Sequence, residues 1–94
     1  MSTSHNAGFE ELKAEIAAQI ATQLGFDPKN PPVSVVDKQA AEVLDVKPTT
    51  LAVWRSTGRY CLPYLKVGRL VKYRISDLAE FLARRTANHT GEVL

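Results

Sequence analysis

The stretch from Val36 to Leu82, VDKQAAEVLDVKPTTLAVWRSTGRYCLPYLKVGRLVKYRISDLAEFL, constrains the fold of this chain more than any other. Ala40-Ala41-Glu42-Val43-Leu44 reads as a short helix, Asp45-Val46-Lys47 as a turn, and Pro48-Thr49-Thr50-Leu51 as the start of a second helix with proline at its first position. Leu65 to Arg74 then reads as a hairpin whose turn, Gly68-Arg69, has glycine first, as a type II′ turn requires. Ser76-Asp77 opens a third helix with Leu78, Phe81 and Leu82 on one face. Two helices about a tight turn, a two-strand ribbon and a closing helix define the expected fold class: α+β, mainly α, a winged helix-turn-helix with a two-strand wing.

Outside that stretch, residues 1–8 are small, polar and aperiodic, and are expected to be disordered. Phe9, Leu12, Ile16, Ile20 and Leu24 form the stripe of an amphipathic helix over about 9–24, which Gly25 should stop. Phe26 to Pro32 carries three prolines and reads as a linker, after which Val33 to Val36 either forms a short strand or leads into the domain. The expected organisation is therefore an N-terminal segment over 1–32, a winged domain over 33–86 and a flexible tail over 87–94. The N-terminal helix folds back on the winged domain, serves as a contact between protomers, or is disordered.

Charge divides the chain. Residues 1–46 hold three lysines against seven carboxylates, a net of −4, whereas residues 47–85 hold nine lysines and arginines against Asp77 and Glu80, a net of +7. A basic half carrying the second helix and the hairpin is the footprint of a phosphate binder. Cys61 stands alone and the only histidines are His5 and His89, which gives neither a disulfide nor a zinc set. No cofactor or metal is expected. The lone cysteine, the lack of an apolar run of membrane-spanning length and the lack of a basic start at the N-terminus suggest a reduced, cytoplasmic setting. Enzymatic activity is not expected, since no nucleophile neighbours a histidine, no carboxylates cluster and no glycine-rich phosphate loop is present.

Within the domain, Asp37 is the expected cap of the first core helix, with Ala41 and Leu44 facing inward. In the second helix Leu51 and Trp54 should face the core, leaving Thr49, Ala52, Val53 and Ser56 outward and Thr50 and Arg55 on the flanks. By analogy with helix-turn-helix docking, the expected DNA contacts from this recognition helix are Thr49, Thr50, Val53, Arg55 and Ser56. Lys47, Arg59, Lys66, Arg69, Lys72 and Arg74 are expected to contact DNA from the wing and flanks, with Arg69 at the wing tip. The helix face has no Asn or Gln for adenine and only Arg55 for guanine, so direct readout should be thin and shape should matter. In the ribbon, Leu65, Val67, Val71 and Tyr73 are expected on a packing face and Lys66, Lys72 and Arg74 on a charged one.

Lys38-Gln39-Ala40-Ala41-Glu42, Pro48-x-Thr50-Leu51, Trp54-Arg55, Gly58, Pro63, Lys66-x-Gly68-Arg69, Tyr73-Arg74 and Asp77-Leu78 together resemble, in order and spacing, the excisionase-like and AlpA-like DNA-binding proteins of mobile elements, within the MerR superfamily. The sequence departs from that family at Asp37 and Lys47, where Thr and Ser are usual, and at Cys61-Leu62. The resemblance implies a recombination directionality factor of bacterial origin, associated with the nucleoid. Such a protein binds and bends double-stranded DNA at an attachment region and so promotes excision by an integrase, a tyrosine or serine recombinase. Self-association on DNA, head-to-tail, fits that role. The alternatives are a transcription regulator of the AlpA or MerR kind at a promoter, and a protein-binding module that has lost DNA contact.

Overall fold

The computed structural model describes the backbone of residues 2–93 and the side chains of residues 8–86. In chain order the elements are α1 (Ser2–Gln23), β1 (Ser34–Val36), α2 (Asp37–Leu44), α3 (Pro48–Thr57), a 3-10 turn (Arg59–Cys61), β2 (Leu65–Val67), β3 (Leu70–Arg74) and α4 (Ile75–Val93). The side chains of residues 1–7 and 87–94, where the expected disordered start and flexible tail largely fall, lie outside those described. The winged helix-turn-helix expected from the sequence is the fold observed, and the segment before α2 takes the strand alternative: β1 pairs antiparallel with β3, adding to the two-strand wing a third strand in the order β1-β3-β2.

Helix ends follow local chemistry. Gly25, at φ +86°, closes α1, with the Phe26 N–H donating to the Ala21 carbonyl at 2.8 Å and the Gly25 N–H to Thr22 at 3.1 Å. The same paired arrangement closes α2, where Val46 donates to Ala41 and Asp45 to Glu42, but here the left-handed residue is Asp45 at φ +58°. Aspartate takes that conformation more readily than most side chains, which lets the helix-turn-helix turn form without glycine. Pro48 opens α3, and Gly58, at φ +71°, ends it by donating to the Trp54 carbonyl.

Asp37 is not the cap of α2 but its first residue. Val36 occupies the cap position, and its N–H donates to the Gln39 side-chain oxygen at 3.1 Å. That leaves the Asp37 carboxylate near the positive helix end and available to a partner elsewhere. Likewise α4 begins at Ile75, directly out of β3, so Ser76 lies inside the helix rather than capping it.

The core gathers Val35 from β1, Ala40 and Ala41 from α2, Leu51 from α3, Tyr73 from β3 and Leu78 and Ala79 from α4. Alanines at the helix contacts bring the backbones close. Ile20 joins this core from α1, and Ile16, Ala17 and Leu24 pack on its edge. The N-terminal helix therefore folds back on the winged domain, packing chiefly along α4.

Candidate nucleic-acid interface

Helix α3 turns Leu51 fully inward and Trp54 partly so, as the 3.6-residue period requires. Trp54 sits edge-on to Tyr60 at 4.8 Å and near Phe81 at 6.2 Å. Thr49, Ala52, Val53 and Ser56 are exposed and Thr50 is half-buried. The Ser56 hydroxyl donates to the Val53 carbonyl at 3.1 Å, and Thr57 donates to the same carbonyl at 2.8 Å. The outward face is thus short side chains, with Val53 as its one sizeable apolar group.

Arg55 is placed differently from the groove-facing arginine the sequence suggests. Its Nη1 donates to Asp37 Oδ1 at 2.7 Å and to the Tyr73 hydroxyl at 2.9 Å, and its guanidinium lies 5.9 Å from the Tyr64 ring. Only 19 % of the side chain is exposed, so α3 is strapped to the start of α2 and to the central strand. Burial alone would lower the Arg55 pKa, but the hydrogen bonds to Tyr73 and Asp37 outweigh it and hold the group above its ordinary value. Burial likewise pushes the Tyr73 phenol up, against the opposing pull of Arg55.

The wing corrects one expectation about faces. Its two-residue turn pairs Val67 with Leu70, Lys66 with Val71 and Leu65 with Lys72. Gly68 has φ +63° while Arg69 is not left-handed, as a type II′ turn demands. Residues paired across a ladder share a face, so Leu65, Val67, Leu70, Lys72 and Arg74 lie on one side and Lys66, Val71 and Tyr73 on the other. Leu65 and Val67 thus exchange places with Lys66 relative to the sequence reading. Tyr73 and Val35 bury the inner side, whereas Val67 (57 %) and Leu70 (56 %) stand out in solvent.

The remaining cations divide by partner. Arg74 is held by Asp77 through two bonds, Nε to Oδ2 at 2.8 Å and Nη2 to Oδ1 at 3.3 Å. Those contacts raise its pKa above the ordinary value. Arg84 and Lys13 share Glu80, whose carboxyl they hold below its usual range. Among the described residues, Lys47, Arg59, Lys66, Arg69 and Lys72 have no carboxylate partner. Lys47 stands exposed at the start of α3, Arg59 is exposed just past its end, Lys66 and Arg69 are exposed on the wing, and Lys72 is half-buried beside Leu65. The sequence reading passed over Tyr60, Tyr64 and Arg85, although the alternation of aromatic and basic residues in GRYCLPY was a signal for the first two.

A winged helix-turn-helix that leaves its unpaired cations around the recognition helix and the wing is a DNA-binding protein. A family model described as a helix-turn-helix domain matches residues 38–86, just over half of the chain, and the chain belongs to that family. Comparison of the chain with curated proteins and with solved structures returns no match. Among the described residues no helix is long and apolar enough to cross a membrane.

Proposed function

We propose that this chain is a non-enzymatic accessory factor of site-specific recombination: an excisionase, or recombination directionality factor, that binds and bends DNA at an attachment region so that an integrase can run excision. The observation that carries this reading is the mismatch between the two parts of the site. The outward face of α3 offers short side chains and, with Arg55 tied to Asp37 and Tyr73, no long group free for bidentate base contact. Around it stand unpaired cations suited to phosphates. Such a surface favours shape and deformability over base readout, which suits a factor whose task is to bend. Self-association on DNA belongs to the same reading. Its support is the outward apolar strip Leu65, Val67 and Leu70 beside the free edge of β2, since patches of this kind commonly serve protein contacts. A cytoplasmic, nucleoid-associated location follows from the role.

The test is a footprint across the host DNA at defined salt. Protection of adjacent repeats beside an integrase attachment site is the expected result. Protection confined to a promoter would make the chain a transcription regulator instead, and that outcome would overturn the recombination role while leaving DNA binding intact.

A further inference from the structure

Past the C-terminus of α3 the chain makes an unusual corner. Tyr60 and Cys61, neither of them glycine, follow one another at φ +67° and +52°. Consecutive left-handed side-chain residues are strained and persist only where surrounding contacts hold them. The contacts here are aromatic: Tyr60 meets Trp54 at 4.8 Å and Phe81 at 6.3 Å. On this cluster sit two guanidiniums from separate elements. Arg59 lies 5.1 Å from the centre of the Tyr60 ring, and Arg85, from α4, lies 4.9 Å from the same ring and 3.7 Å from that of Phe81.

Among the described residues neither arginine has a carboxylate partner. The acids bordering the cleft between this corner and α4 are committed elsewhere, Asp77 to Arg74 and Glu80 to Arg84 and Lys13. Stacking on a ring uses the flat face of a guanidinium and leaves its in-plane N–H donors free. Two guanidiniums gathered at one ring, with no counter-charge among the described residues, keep N–H donors available for an anion.

We propose that Arg59 and Arg85, braced on Tyr60, form a clamp for the phosphodiester backbone of the bound duplex, separate from the recognition helix and the wing. The position favours DNA over an acidic protein. Arg59 lies two residues beyond Thr57, the last residue of α3, which places the pair beside the helix that the DNA-binding reading sets against the duplex. The clamp gives α4, which the domain otherwise uses for packing, a part in binding. It rests on the reading of the chain as a DNA-binding protein.

The test is a fluorescence-anisotropy titration of the full chain on a duplex over a range of salt, comparing wild type with R59A, R85A, R85K and R69A. Each of R59A and R85A should flatten the slope of log K against log salt by about 0.9. R85K, which keeps the charge but not the planar fork, should keep most of the slope. If R69A flattens the slope while R59A and R85A leave it unchanged, the clamp is overturned and DNA binding stands. Failure of wild type to bind any duplex would overturn both. Circular dichroism reports whether R85A folds; should it not, R59A, on the exposed corner, decides the matter by the same slope. Loss of binding only to an acidic peptide, with the DNA slope unmoved, would also overturn the clamp.

Discussion

Arg55 shows how a side chain suited to guanine can be assigned to structure by its neighbours. Asp37 is one residue into α2 and Tyr73 is on the central strand, and both converge on its Nη1. Replacing Arg55 with Ala leaves a partly buried carboxylate and a buried phenol unpaired, at a cost of about 1–3 kcal/mol in urea unfolding. The salt slope of DNA binding, measured on the folded variant, should stay within error of wild type. Tyr73 adds a pH dependence. Its raised pKa means that the folded state holds the phenol proton more tightly than the unfolded chain. Its contribution is therefore complete below the unfolded value of about 10 and is lost as pH rises through the folded one. The stability gap between wild type and Tyr73→Phe should accordingly shrink above pH about 10, followed by urea midpoints across alkaline pH. Trp54→Ala, by opening the cluster with Tyr60 and Phe81, should cost on the order of 3 kcal/mol, the lower end of the range for aromatic truncation because the ring is only half-buried.

At the scale of elements, α1 is part of the fold rather than an appendage. Ile20 is 2 % exposed, and burying a side chain of that size contributes about 1.5–3 kcal/mol. A chain lacking residues 1–24 should melt well below the full chain or fail to unfold cooperatively, as thermal circular dichroism would show. The bounds of α3 and the end of α1 were legible in the sequence because each has its own signal: Pro48 and Gly58 bracket α3, and Gly25 ends α1. The type II′ turn was equally plain from Gly68-Arg69. What escaped was whatever depends on partners far along the chain. The pairing of Val35 with Tyr73 joins residues from opposite ends of the domain, and no local pattern marks it. The faces of the wing were derivable, since a two-residue turn sets the register, but a reading of each strand's alternation separately reversed β2 against β3. The left-handed Asp45, Tyr60 and Cys61 carry no glycine to announce them. For the interface, the cations were visible in the sequence, while their partners, which decide which of them stay free, were not.

Across the whole molecule, charge and architecture agree. The basic half contains α3 and the wing, and among the described residues ion pairs neutralise Arg55, Arg74 and Arg84 while sparing Lys47, Arg59, Lys66, Arg69, Lys72 and Arg85. Phosphate contacts displace counterions in proportion to their number, so the number of free cations fixes a slope. Substitution of Arg69 with Ala should weaken binding to all duplexes alike and flatten that slope by about one, because a tip arginine meets backbone or groove rather than one base. The most direct measurement is the affinity of the wild-type chain for a duplex as a function of salt. Four to six phosphate contacts predict a log–log slope of about −3.5 to −5.5. A slope near zero, or no binding at low salt, would contradict the assignment of this surface to DNA.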